Sequence, residues 1–283
     1  MTADREESRS PRSVGMARYG RTAVVLCCTW FVLFVGLPVL ALFSSSEPGL
    51  LFGGQGREMI GPALALSLRT SLCATLLCAL LGIPLGFALA RFDFRGKSWL
   101  DPIVDIPLTL PPVVAGVALL MTYGQTGILH RWLGITPHLA FTTTAVILAQ
   151  AFVACPFMVR AAQSGFGAVD PGLALASATL GARPWTTFCR IYVPLAAPAL
   201  LSGATLTWAR SLSEFGATLM FAGSFPGATQ TMPLAVMAAM DVSLNIAVAL
   251  SCVTVVLAAA LLIASRALAG GFIVGSRDPS QRN

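Results

Sequence analysis

Charge is scarce in this chain of 283 residues: Asp, Glu, Lys and Arg together make up 11%, and a water-soluble domain carries about twice that fraction. Lysine is nearly missing, since Lys97 is the one lysine among 18 basic residues. Histidine is limited to His130 and His138, and the seven cysteines form no CxxC pair. These shortages exclude a basic soluble face for nucleic acid and argue against a zinc site, which needs several His or Cys ligands at short spacing. Apolar residues are abundant, at 56% with a mean hydropathy of +0.79. A spanning helix needs about 20 apolar residues, so a chain of this length holds about six spans and leaves no room for a separate nucleotide-binding domain. Cys27, Cys28, Cys73, Cys78, Cys155 and Cys252 fall within apolar runs, where thiols act as small hydrophobes, and Cys189 falls in a polar connection.

The first apolar run, Thr22 to Phe43, is longer than a cleavable signal needs and is read as the first span. Ser71 to Ala90, Leu139 to Val159 and Val242 to Ser265 are each long enough to cross a bilayer. Two further spans are interrupted. Pro102 to Tyr123 carries Asp105, Pro107, Pro111 and Pro112, and Pro194 to Phe221 carries Arg210 and Glu214. A helix that only packs in lipid has no need of a Pro-Pro break or an ionisable pair, so function is expected in these two. The fold class is therefore all-α: an integral membrane protein of six transmembrane helices, spanning residues 22–268 between polar tails at 1–21 and 269–283.

With the amino terminus inside, the outer loops hold Arg57 and Arg131, and most other basic residues fall on the cytosolic side. Under the positive-inside rule both termini then face the cytosol. Arg69 and Arg210 lie within or beside the membrane. The tails Met1 to Gly20 and Ser276 to Asn283 read as polar and disordered.

The connection between the fourth and fifth spans, residues 160–194, is far longer than a turn between neighbouring helices. Asp170-Pro171 is an N-cap followed by proline at the first helical position, the alanine-rich stretch after it favours helix, and Gly181 suits a left-handed stop. A short helix of two to three turns is predicted, exposed on the cytosolic side as a docking element. Trp185, Phe188 and Ile191 recur every third residue beside Arg183 and Arg190, a pattern that fits an amphipathic segment on the membrane surface. Gly96-Lys97-Ser98 is similar to the end of a phosphate-binding loop, but Arg91 stands where its first glycine is needed, so the chain is not expected to bind ATP.

The stretch LALASATLGARPWTTFCRIYVPLAAP, Leu173 to Pro198, resembles the signature cytoplasmic loop of ABC-importer permeases, with Gly181, Ile191 and Pro194 where that pattern has them. Leu175 replaces the glutamate that usually opens the motif, and Ser177 the second alanine of its pair. The segments DIPLTLPPVVAGVALL, Asp105 to Leu120, and ARSLSEFGATLMFAGSFPGATQTMPLAV, Ala209 to Val236, look like the molybdate branch of the molybdate, tungstate and sulfate importers. Resemblance runs from about Ala65 to Leu262. It implies a type I ABC-importer permease fold in a bacterial inner membrane, working as a homodimer with two cytosolic ATPase subunits and an external oxyanion-binding protein. It also implies that no cofactor is bound by this chain, ATP and Mg belonging to the ATPase. The ATPase would dock on the coupling helix through Asp170, Pro171, Ala174, Ala176, Ala178, Gly181 and Ala182. Sulfate, thiosulfate or tungstate import, and an ion-coupled anion carrier, are the rival readings.

A dianion cannot cross hydrocarbon unpaired and needs a polar path. Gly203, Thr207, Arg210, Glu214 and Ala217 follow helical spacing along one small or polar face, with Ser213 on its flank. Arg210 lies about 24 Å along the helix from Pro194, in the outer half of the membrane. It either attracts the anion, with Ser211, Ser213 or Thr218 as neutral donors, or is neutralised by Glu214 to hold a closed gate. Pro111 and Pro112 bend or break the third span, as a gate or as a packing kink. Asp105 is expected to pair with Arg95 or Lys97. The loop Pro226 to Asn245, with its Met-rich stretch, is expected to receive the binding protein.

Overall fold

The computed structural model describes residues 11–46, 49, 54–135 and 138–275, with side chains described for 23–46, 49, 59–135, 138–261 and 263. The chain forms two compact units, one ending at Ser46 and one from Glu47 onward. The first consists of α1 (Pro11–Ser44), which carries Pro38 within it. Its apolar stretch Ala23–Ser44 agrees with the first predicted span, but helix already begins at Pro11, so residues 11–20 are not the irregular tail expected from their polarity. Residues 1–10 and 276–283, the remainder of the predicted tails, lie outside the described residues.

In the second unit the elements follow as α2 (Gly54–Arg91), α3 (Lys97–Thr109), α4 (Pro112–Tyr123), α5 (Ile128–Leu133) and α6 (Thr143–Gly167). Then come α7 (Pro171–Thr179), α8 (Pro184–Thr187), a π-helical turn (Phe188–Tyr192) and α9 (Val193–Leu212). The unit ends with α10 (Gly216–Ala222), α11 (Met232–Val242) and α12 (Leu244–Gly275). No strand occurs among the described residues, and six segments are long and apolar enough to cross a membrane.

Helix α6 is central to this unit. One of its faces packs against α2 and α9 through Ala74, Cys78, Ala154, Met158, Ala162, Phe166, Ala196 and Leu200. Another packs against α4 and α10 through Ala115, Leu119, Ala145, Val146, Ala149, Ala217 and Phe221. Apolar side chains gain little from leaving lipid for protein, so close backbone approach between small residues supplies the attraction. A Cβ at Gly86 on α2 would stand 2.6 Å from the Cβ of Ala162, and one at Gly203 on α9 would stand 2.3 Å from that of Ala161. Glycine is required at both crossings.

A third cluster joins Ala63 of α2 to Met232, Ala235 and Ala239 of α11 and to Ala247 and Leu250 of α12. The Met-rich stretch expected as an open loop is therefore a packed helix. Ser67 Oγ accepts from the Met232 backbone N–H at 2.7 Å, fixing the start of α11 against α2. Helix α2 is also longer than the predicted Ser71 to Ala90, running on toward Gly54 through the buried polar residues Ser67 and Thr70. At the other end of the chain α12 continues to Gly275, beyond the boundary at 268 expected from hydropathy.

Candidate functional site

The two interrupted spans meet at their interruptions. Helix α3 stops at Thr109, Leu110 and Pro111 are extended, and Pro112 occupies the first turn of α4. This is the break that a Pro-Pro pair imposes, since proline lacks an N–H and clashes with the preceding turn. The fifth span breaks at Ser213 to Phe215, between α9 and α10. Gly216 seats directly on the Pro-Pro break: a Cβ there would stand 3.0 Å from Pro112 Cβ and 3.1 Å from the Val113 nitrogen.

Glu214 belongs to the break itself. Its side chain is 1% exposed, its Oε1 accepts from the Ala217 backbone N–H at 2.9 Å, and its Oε2 lies 2.8 Å from Arg210 Nη1. A helix start leaves N–H groups without intrahelical partners, and this carboxylate supplies one acceptor while Arg210 supplies its counter-charge. Of the two sequence readings for Arg210, the structure shows the pairing. Its side chain remains 27% exposed, so the pair is buried on the carboxylate side and open on the guanidinium side.

The single polar face predicted for the fifth span is corrected by this break, because Glu214 and Ala217 do not continue the helix that carries Thr207. Gly203, Thr207 and Ser211 face into the protein, the last two wholly buried, whereas Ser213 is exposed. Beside them on α9, Trp208 donates its indole N–H to Ser71 Oγ at 2.9 Å. Gln150 on α6 and Thr218 on α10 are likewise buried polar side chains. Gln150 was missed from the sequence, where its signal was a lone amide in an uncharged run.

Asp105 pairs with neither Arg95 nor Lys97. Arg160, near the end of α6, makes a two-point contact with it: Nε to Oδ1 at 2.8 Å and Nη2 to Oδ2 at 2.6 Å. The remaining guanidinium N–H groups reach Asp101 Oδ1 at 2.5 Å, the Asp101 carbonyl at 2.7 Å and Gln163 Oε1 at 2.6 Å. All five donors of Arg160 are thus used, and the fork geometry of arginine suits this better than lysine would. Lys97 pairs instead with Asp93 at 3.1 Å. The consequence is that α3, the helix before the Pro-Pro break, is fastened to α6.

Beyond α6 the chain forms the short helix predicted after Asp170. Asp170 Oδ1 accepts from the Gly172 N–H at 2.8 Å, Pro171 takes the first turn, and Gly181 ends the motif with φ of 78°, which a β-carbon disfavours. No residue of α7 is buried. Asp170, Pro171, Ala176, Ala178 and Gly181 are exposed, but Ala174 and Ala182 are half-buried against the body of the protein. Leu175, in the place of the usual glutamate, is 69% exposed. Ser177, in the place of an alanine, shares a 2.9 Å hydrogen bond with Thr187, tying α7 to α8. The segment with Trp185, Phe188 and Ile191 is helical and runs through α8 and the π-helical turn straight into α9, with Trp185 exposed and Phe188 packed on Phe87.

Compared with known proteins, residues 82–275 match the family described as binding-protein-dependent transport system inner membrane component. The chain belongs to that family. Among relatives of this inner membrane component, the molybdenum transport system permease protein ModB of Mycobacterium tuberculosis is 39% identical over 251 residues, covering 88% of this chain and 91% of the relative. ModB of Escherichia coli K12 is 42% identical over 177 residues, 61% of this chain and 76% of the relative. The molybdate/tungstate permease protein WtpB of Thermococcus kodakarensis is 36% identical over 208 residues, 73% and 79% of the two chains. Among solved structures, a bacterial ABC transporter that imports alginate superposes with a TM-score of 0.66 at 15% identity, covering 91% of this chain and 97% of that one. The inward-facing MetNI methionine transporter gives 0.60 at 18% identity, covering 76% and 96%. The fold of this inner membrane component is that of the type I ABC-importer permeases.

Proposed function

We propose that this chain is the membrane-spanning subunit of an ATP-driven importer for molybdate, with tungstate as the nearest alternative cargo. It lies in the inner membrane with both termini in the cytosol, pairs with a second copy, docks two ATPase subunits on α7 and accepts the anion from an external binding protein. The relative that carries this reading is the molybdenum permease matched at 39% identity across 88% of this chain. The geometry supports it through α7, a helix capped at both ends whose residues are all exposed except the half-buried Ala174 and Ser177. A short helix with no buried residue and so large an exposed face is suited to a groove on another subunit.

In this reading the chain does no chemistry. ATP-driven closure of the ATPase pair moves the two α7 helices, and access to the path alternates by rigid-body rotation of the permeases. Pro111, Pro112, Thr207, Arg210, Ser211, Ser213 and Glu214 form or support the gate region. The exposed side of Arg210 offers the anion a weak attraction, since a tight site would slow its release. Deleting Pro171 to Gly181 is expected to abolish molybdate uptake and co-purification of the ATPase in reconstituted vesicles. Uptake that survives the deletion and follows an ion gradient would establish a carrier of another class.

A further inference from the structure

Arg91 is the last residue of α2, and its side chain crosses both limbs of the connection that bears α7. Nη1 donates to the carbonyl of Val169, one residue before the Asp170 cap, at 3.0 Å. Nη2 donates to the Tyr192 hydroxyl at 2.6 Å, and the guanidinium carbon lies 4.8 Å from the centre of the Tyr192 ring. Tyr192 closes the π-helical turn that follows α8, so one guanidinium grips the chain just before the docking helix and again where the connection re-enters α9. One turn earlier on α2, Phe87 sits among the rings of Phe166, Phe188 and Tyr192, with centroids at 5.1, 4.8 and 5.1 Å.

A loop joined to a bundle only through its two chain ends would flex when pushed. Here planar two-point recognition by Arg91, over an edge-to-face aromatic nest, closes the base of the loop. Lysine would keep the charge but not the fork. We propose that Arg91 is a positioning residue for transport: it couples the docking helix α7 rigidly to α2, so that movement imposed on α7 reaches the spans. It touches neither nucleotide nor cargo. The inference rests on the transport reading above, and the experiment separates the two.

The full complex, with its ATPase and binding protein, is reconstituted in vesicles, and molybdate uptake and ATP hydrolysis are measured together. Arg91→Ala is expected to leave ATPase association and basal hydrolysis intact while the ATP spent per molybdate imported rises about tenfold, the scale of a typical coupling energy. Arg91→Lys should fall between wild type and Arg91→Ala. Tyr192→Phe keeps the ring and removes one acceptor, so its ratio should rise about threefold, the worth of one hydrogen bond. This second variant decides the matter should Arg91→Ala fail to assemble. An unchanged ratio in Tyr192→Phe and in any assembled Arg91 variant would overturn the inference while leaving the transport reading intact. Absence of ATP-dependent molybdate uptake by the wild-type complex would overturn both.

Discussion

Glu214 is held by two partners of different kinds, the Ala217 N–H and the Arg210 guanidinium, at 1% exposure. Removing the cation leaves the carboxylate buried without its counter-charge, which costs about 3–5 kcal/mol. Arg210→Ala is therefore expected to lower the thermal unfolding midpoint of the detergent-solubilised protein more than Glu214→Gln, whose amide oxygen still accepts from Ala217. Equal destabilisation would show that capping, rather than charge pairing, dominates. The residue scale also shows where sequence reading is weakest. That Asp105 needs a cation was legible, since a carboxylate near the start of a predicted span does not stay unpaired. Which cation was not, because Arg95 and Lys97 are near in sequence whereas Arg160 arrives only once α6 has packed against α3.

At the scale of elements, α7 was legible in detail because its signals are local. An Asp-Pro start and a glycine stop act within one turn, whatever the rest of the chain does. Asp170→Ala removes the acceptor for the Gly172 N–H and is expected to cost α7 about 0.5–2 kcal/mol. Hydrogen exchange should then speed up across 171–179 and remain unchanged in α6. The break before α10 was not legible, because Ser213-Glu214-Phe215 contains no proline or glycine and its helical periodicity reads through. Its one sequence signal was the acid itself, which a continuous apolar helix has no use for and which a new helix start does. The full length of α2 escaped for a related reason: hydropathy stopped at Ser71, whereas Ser67 and Ser71 are buried as acceptors for Met232 and Trp208.

For the whole molecule, the number of spans and the family were open to inspection because both depend on composition and on short ordered motifs. The packing arrangement was not, since helix crossings depend on which small residues meet across tens of positions. Gly203 and Ala161 are such a pair, and α9 cannot approach α6 with a side chain between them. Gly203→Val is expected to destabilise the protein by about 1–3 kcal/mol through overpacking. Gly167, at the end of α6 with open space around its added carbon, is the control, and Gly167→Val should leave the unfolding midpoint nearly unchanged. The contact of Gly216 with Pro112 bears on how such a molecule moves. Because the two breaks touch, a bend at one cannot change without displacing the other, and a β-carbon added at Gly216 is expected to disturb both at once.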